Sequence, residues 1–527
     1  VLLNIIRIQE GIQMRRYLSF FGTLTIFLLV MHTAGFCYQS TRKLWDNVSH
    51  AVAKGLPQTA IDNLKLIHKT ALAEGRKGEA LKAFTIQIVL ESSIKGNKPE
   101  YKVKRLREEI ARADEAMKPV MKALLAQWYW HYYSQNRYRF LNRTATEGVN
   151  DDDFTTWDLR KIFKEISSIY QDLLNNEESL KKMSITEFKD ILDMGNTSLH
   201  LRPTLFDFVA WKALEFYSRG EQAGARPEDA FEIDAGGGAF DDAASFLRYS
   251  PPTTDKESCR YKALRIYQKL MSFHQGDPDK DAFIDADLSR LNYVFNNSVG
   301  DQKTDIYIKR IKEIIDRYPQ SDLSSLALYY LAYRCQNQYQ NRNNLIEAFT
   351  AAEKGKSTHP GSYGASLCES LLNNILQKSI ELKGERLVPA GRKSSLLVTY
   401  RNLDSLTFRV IRDNWKDYLT KKGSRYYNFQ LDDEKIAQLI SEKPEAEWTV
   451  PLKPTIDYQK RQSVVTLPVL KPGFYRVFAS YKKDFDRKGN CLMYCTLWVS
   501  NIGVVTRLNR DAAEGFVVDN ESGNPLP

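Results

Sequence analysis

"SSLLVTYRNLDSLTFRVIR", Ser394 to Arg412, decides the fold. Leu397 and Thr399 fall on one side, Val398 and Tyr400 on the other, and Leu406, Phe408 and Val410 resume the alternation. A period of two is the mark of a strand, and Asn402-Leu403-Asp404 supplies the turn. Four later runs share the pattern: "QSVVTLPVL" (462–470), "GFYRVFASYKK" (473–483), "CLMYCTLWVSN" (491–501) and "IGVVTRLNR" (502–510). Short alternating strands with polar turns predict an antiparallel β-sandwich over residues 384–510.

Before this domain the period is 3.6, so residues 38–383 are expected to be helical. "GLPQTAIDNLKLIHKTALAEG" (55–75) sets Leu56, Ala60, Leu64, Ile67 and Ala71 on one stripe. Pro57 suits its first turn and Gly75 its stop. A second helical run, Gly78 to Ile94, completes a helix hairpin. "YKALRIYQKLMSFHQ" (261–275) repeats the design with Leu264, Tyr267, Leu270, Met271 and His274. In 305–338, Ile308, Ile311 and Ile315 form one stripe, Tyr318-Pro319 breaks it, and Ala327, Leu331 and Cys335 form the next. Degenerate helical pairs of this kind predict an irregular tetratricopeptide-like solenoid, a shape that offers concave surfaces to partners. The Gly-, Ala- and acid-rich stretch at about 218–250 is expected to be a long surface loop.

Composition narrows the class. Hydrophobic residues are 43% of 527, enough to bury cores. The formal charge of +10 comes from Lys and Arg interspersed with Asp and Glu, without a basic run, which argues against a nucleic-acid partner. Met14-Arg15-Arg16 followed by "YLSFFGTLTIFLLVMHTAGFC" has the form of a signal peptide over 14–37. Residues 1–13 then precede the true start. An N-terminal anchor is the competing reading of the apolar run, which is short for a span. Phe36 stands where lipidation of Cys37 would need a small residue. Export to the periplasm or the outer-membrane-associated envelope is the expected localisation. Cys37, Cys259, Cys335, Cys368, Cys491 and Cys495 are too sparse for a disulfide framework and are expected to be buried thiols.

The search for chemistry assigns no catalytic, cofactor-binding or metal-ligating residue. Gly355-Lys356-Ser357 resembles the end of a phosphate-binding loop, but Thr350 stands where the first Gly belongs. "DPDKDAFIDADL" (277–288) spaces Asp277, Asp279 and Asp281 like a calcium loop, yet Ala282 and Leu288 occupy the Gly and Glu positions. An acidic helix start is the expected reading. "AQWYWHYYSQNRYRF" (126–140) could stack sugars or bases through Trp128, Trp130, Tyr132 and Tyr133; a core helix running into a loop is preferred. Pro203 opens a further helix in "LRPTLFDFVAWKALEFYS" (201–218), where Leu205, Phe208, Val209 and Phe216 form the stripe and Lys212 lies on the same face.

Five segments together resemble the N-terminal part of a Bacteroidetes-type alpha-2-macroglobulin family protein: 43–75, 202–217, "LLVTYRNLDSLTFRVIR", "LPVLKPGFYRVFASY" (467–481) and "VSNIGVVTRLNRDAAEGFVVDNESGNPLP" (499–527). The resemblance implies a macroglobulin-type β-sandwich at 384–510 and, at 511–527, the first strand of a next, truncated domain. It implies endopeptidase inhibition by trapping, with proteases as partners of the missing C-terminal part. It implies no enzymatic activity and no cofactor. Bait and thioester would lie beyond Pro527, since no Cys-Gly-Glu-Gln stretch occurs. The helical region is left to bind an envelope protein. Two other readings stand beside this one: a periplasmic tetratricopeptide-like scaffold and a glycan-binding outer-membrane protein.

Overall fold

The computed structural model describes residues 41–141, 153–192, 198–219, 230–418, 430–508 and 513–527. Residues 1–13, the signal segment expected at 14–37 with Cys37, and 220–229 of the expected loop lie outside them. The chain divides into two compact units, Val1–Ile314 and Ile315–Pro527. The first is helical; the second begins with helices and continues as sheet.

The first unit opens with α1 (Arg42–Ala53), α2 (Pro57–Ala73) and α3 (Lys77–Ile94). Pro57 sits in the first turn of α2, where no helical hydrogen bond is lost. The chain reverses at Gly75, whose φ of +70° suits a residue without Cβ. Val48, Ile61, Leu64, Ile67, Ala83 and Leu90 then close one core. Under it lies the buried carboxylate of Glu79, which accepts from Thr41 Oγ1 at 2.5 Å and Trp45 Nε1 at 2.7 Å and pairs with Arg76.

Next come α4 (Pro99–Arg112), α5 (Lys118–Gln135), α6 (Arg137–Leu141), α7 (Leu159–Asn175), α8 (Glu177–Lys181) and α9 (Leu205–Tyr217). The aromatic stretch forms α5. Tyr133 meets Phe140 and Phe163 edge-on, and Tyr129 meets Phe154 the same way. The unit continues with α10 (Ala243–Arg248), α11 (Cys259–His274) and α12 (Asp281–Asn297), and α13 (Lys303–Arg317) runs through the boundary between the units.

The segment expected as a surface loop is held down where it is described. β1 (Ile233–Asp234) pairs in parallel with β2 (Ser298–Val299), and Ala239, Phe240 and Phe246 are buried. Arg290, itself buried, donates to the carbonyls of Ala239 and Asp241 at 2.6 and 3.0 Å. A Cβ on Gly238 would meet the Tyr249 ring at 2.4 Å, so a glycine is required for the chain to pass there. Its Gly-rich, acidic composition concealed these anchors.

The second unit begins with α14 (Leu323–Gln336), α15 (Asn344–Thr358) and α16 (Tyr363–Leu376), which pack on one another. Ala327, Leu331 and Cys335 are buried, as their stripe predicted. Two glycines set the spacing. A Cβ on Gly364 would lie 2.2 Å from the backbone nitrogen of Leu326, and one on Gly355 2.5 Å from Cys368 Sγ.

Sheet begins at Ser379, ahead of the change of period seen in the sequence. β3 (Ser379–Gly384), β5 (Ser395–Arg401) and β8 (Arg461–Thr466) form an antiparallel sheet in the order β3-β5-β8. β4 (Leu387–Val388), β6 (Ser405–Arg412), β7 (Ala446–Pro451), β9 (Gly473–Ser480) and β10 (Leu492–Val499) form a second, in the order β4-β10-β9-β6-β7. Its pairs are antiparallel except β4 with β10. The turn at 402–404 therefore does not close a hairpin: β5 and β6 belong to different sheets. Leu396, Val398 and Tyr400 share a core with Leu406, Phe408, Val410 and Val477. On the other side of the larger sheet Ile411 and Phe478 meet Phe485 and Leu439 of α17 (Asp433–Ser441). Strand β9 is thus covered on both faces, and seven of its eight residues are buried.

Ile502–Leu508 (β11), expected to end the 384–510 domain, joins neither sheet. It pairs with β12 (Ala513–Asp519) as a separate hairpin. Val504, Val505, Phe516 and Val517 are exposed, so consecutive residues on both strands place apolar surface on both faces.

Candidate functional site

Two places in the first unit gather polar chemistry. The first is a buried network around His274, the last residue of α11. Its Nε2 lies 2.7 Å from Asp207 Oδ1 and its Nδ1 2.7 Å from Asp277 Oδ2. A carboxylate oxygen on each ring nitrogen favours the doubly protonated imidazolium, in which both nitrogens donate. Burial pushes the imidazole's pKa down, but the hydrogen bonds and charges of Asp207 and Asp277 outweigh it, and the net shift is upward. Asp207 also closes a capping box at the start of α9. Its Oδ2 accepts from the Thr204 amide at 2.9 Å, and the Thr204 hydroxyl accepts from the Asp207 amide at 3.3 Å. The network ties the end of α11 to the beginning of α9. His274 and Asp207 are buried while Asp277 reaches the surface, and the geometry is that of a structural tie.

The calcium-like spacing is used differently. Asp277 holds His274, and Asp279 Oδ1 accepts from the Asp281 amide at 2.9 Å, where α12 begins. That is an acidic helix start. His200, Asp279 and Asp281 bring one ligand atom each within 4.8 Å of one another, a set able to take a cation at the surface.

The second place is a cleft of about 480 Å³ bordered by α4, α5, α6 and the turn at Phe154. Lys102, Val103, Trp128, Tyr132 and Phe154 are its buried lining. Asn97, Glu100, His131, Gln135, Asn136 and Arg139 stand at its rim. Lys102 Nζ lies 5.9 Å from the Trp128 ring centroid, and burial pushes this ammonium's pKa down to about 8. Of the four aromatics singled out in the sequence, Trp128 and Tyr132 border the cleft; Tyr133 is fully buried and Trp130 packs on Phe163 and Phe216. Lys102 is inconspicuous in the sequence, because its aromatic neighbours come from another helix.

The remaining motifs resolve into packing. Gly355-Lys356-Ser357 lies near the end of α15, with Gly355 against Cys368. All five described cysteines are free thiols, but only Cys335 and Cys368 are buried as expected; Cys259, Cys491 and Cys495 are half-buried, and desolvation pushes the thiols of Cys368 and Cys495 up to about 11. Lys212 is half-buried and pairs with Glu215 at 3.0 Å. No helix among the described residues is long and apolar enough to cross a membrane.

A buried ion pair lies in the second unit. Arg476 Nε donates to Asp413 Oδ2 at 2.8 Å, and both side chains are fully buried. Tyr418 donates to the same carboxylate oxygen at 2.6 Å, and the guanidinium lies 4.8 Å from the Phe474 ring centroid.

No family model matches the chain, and no curated protein matches it. Among solved structures it is similar in part to native alpha-2-macroglobulin from Escherichia coli, in a structure spanning domains MG0-NIE-MG1. The identity is 15% and the TM-score 0.20, over 28% of this chain and 47% of that one. The chain thus spans about half the length of that structure. It is also similar to the N-terminal part of the bacterial S-layer protein SbsC, at 11% identity and a TM-score of 0.12, over 79% of this chain and 88% of that one. Domains 1–6 of SbsC give 13% identity and a TM-score of 0.12, over 76% and 50%. At scores this low the likenesses establish no shared fold.

Proposed function

We propose that this chain is the N-terminal scaffold of an exported alpha-2-macroglobulin-like endopeptidase inhibitor. In this reading the helical pairs form a tetratricopeptide-like solenoid. The two sheets over residues 379–499 form a first macroglobulin-type sandwich, and β11–β12 opens the next β-domain. The observation that carries the reading is the hand-over itself: helices up to Leu376, then two sheets around one core, in the part of the sequence whose segments resemble the family. The apolar residues exposed on both faces of the β11–β12 hairpin add support, because further β-structure packed there would cover them.

The chain itself then performs no catalysis. Proteases are partners of the assembled inhibitor, and the helical unit is free to dock an envelope protein. The test is the coding sequence after the codon for Pro527 and the protein it specifies. A continuing frame should encode further β-domains. The purified product should slow a protease on a large protein substrate while sparing its hydrolysis of a small peptide. A product of the complete gene that leaves protein hydrolysis unchanged overturns the proposal.

A further inference from the structure

We propose that β8, the free edge of the three-stranded sheet, takes up an extended, acidic segment of a partner protein as a fourth strand. This inference does not depend on the inhibitor reading.

The Leu467 amide donates to the Ser394 carbonyl at 2.9 Å, and these two residues stand opposite each other where the β5–β8 register continues. In an antiparallel ladder every second opposite pair exchanges hydrogen bonds, so Val465, Ser463 and Arg461 turn their backbone groups toward β5. Gln462, Val464 and Thr466 therefore turn theirs outward, and among the described residues no strand or loop pairs with them. The side chains of the same three residues are exposed. The outer edge of the larger sheet is built differently. The Leu452 amide on the Asp404 carbonyl at 2.7 Å fixes the same alternation in β7, which turns Glu447, Thr449 and Pro451 outward. A charge and a proline keep an edge from pairing, and β8 has neither at its outward positions.

Apolar contact and charge select the occupant. Val464 is 66% exposed and lies opposite Leu397, so an apolar residue on an added strand would extend one row across the sheet. Lys460 stands just before β8. Beyond its other end the Gly391 amide reaches the Leu470 carbonyl at 3.5 Å, which draws together the stretches that carry Lys393 and Lys471. All three lysines are exposed, and among the described residues none pairs with a carboxylate. Asp457, near Lys460, is already held by Arg461 at 3.0 Å. A second copy's β8 would bring the same cations against these. A strand with apolar residues in the middle and carboxylates at both ends meets them instead. Main-chain hydrogen bonds then supply the affinity and the flanking charges choose the partner. The six residues of β8 set the length of the segment.

Fluorescence anisotropy of the full chain with a fluorescein-labelled peptide, Asp-Glu-Thr-Val-Thr-Val-Thr-Glu-Asp, tests the proposal. The peptide should bind saturably. The same peptide with Lys in place of its acids, or N-methylated at its Thr and Val residues, should bind at least about tenfold more weakly. Val464→Pro removes an outward amide and leaves the ladder to β5, and should weaken the acidic peptide about five- to tenfold. Lys460→Glu combined with Lys471→Glu should weaken it as much, with thermal unfolding unchanged. Absence of saturable binding overturns the proposal. So does equal binding of the lysine or N-methylated peptide, or undiminished binding by the double lysine variant. A concentration-dependent dimer in sedimentation velocity that Val464→Pro dissolves also overturns it, because the edge then belongs to a second copy. Should Val464→Pro fail to fold, the double lysine variant and the N-methylated peptide decide.

Discussion

The side-chain amide of Asn402 donates to the carbonyl of Ile375 at 2.8 Å, joining the turn between two sheets to the last turn of α16. Asn402 itself has φ +58°, a conformation asparagine tolerates better than most residues. Beside it Arg401 Nη2 donates to the Asn374 carbonyl at 2.8 Å. The last carbonyls of a helix lack the usual i+4 partner; that of Asn374 also accepts from the Gln377 amide at 3.3 Å. Asn402→Ala should therefore cost about 1–2 kcal/mol through lost capping and backbone strain, and Asn402→Gly less, because it keeps the backbone conformation. Urea denaturation followed by fluorescence checks the order of the two variants.

Asp413→Asn should be among the most destabilising single changes in the second unit, by about 3–5 kcal/mol, since it leaves the Arg476 guanidinium buried without its counter-charge. Replacing both partners by apolar residues of similar volume should recover most of the loss. Hydrogen exchange at the amides of β9 reads both outcomes.

Gly364→Ala should force α14 and α16 apart, because its Cβ would overlap the backbone at Leu326. The expected cost is about 2–3 kcal/mol, the upper part of the range for overpacking. Gly276→Ala is the control: nothing lies within 4 Å of its Cβ, and the change should be neutral or slightly stabilising. Thermal unfolding midpoints of the two variants make the comparison.

His274 gives the helical unit a pH dependence. Its folded pKa lies above the unfolded value of about 6.5, so the network's stabilisation is fully present below about pH 6.5. It is lost as pH rises through the raised folded pKa. Each tenfold by which folding tightens the imidazolium's hold on its proton corresponds to about 1.4 kcal/mol of that loss. Stability measured from pH 6 upward should fall in the natural protein, and His274→Asn should remove that component of the slope.

Much of the fold was legible because burial writes its period into the sequence. The stripe Leu264, Tyr267, Leu270, Met271 and His274 is buried throughout, and Val398, Tyr400, Leu406, Phe408 and Val410 all face the core. What the period cannot state is the partner. Alternation assigns a residue to a face, and the same alternation in β5 and β6 serves either a hairpin or two strands on opposite sides of a core. In the sequence His274 is one more position on an apolar stripe, because its partner Asp207 lies on another helix. Gly355 has the look of the tail of a failed phosphate loop, whereas it marks where two helices touch. The cleft was half legible: its aromatics stand in one conspicuous run, but the buried lysine that gives it a charge comes from α4.

The division of β5 and β6 between sheets also sets the order in which the second unit can assemble. β5 waits for β8 across residues 395–466, and β4 for β10, where Leu387 pairs with Trp498. Such long closures slow the search for the native arrangement. The helices α14–α16 need only nearby chain. On a ribosome they can settle early, while the sheets remain open templates until β10 has emerged, an interval in which a chaperone would have the most to protect.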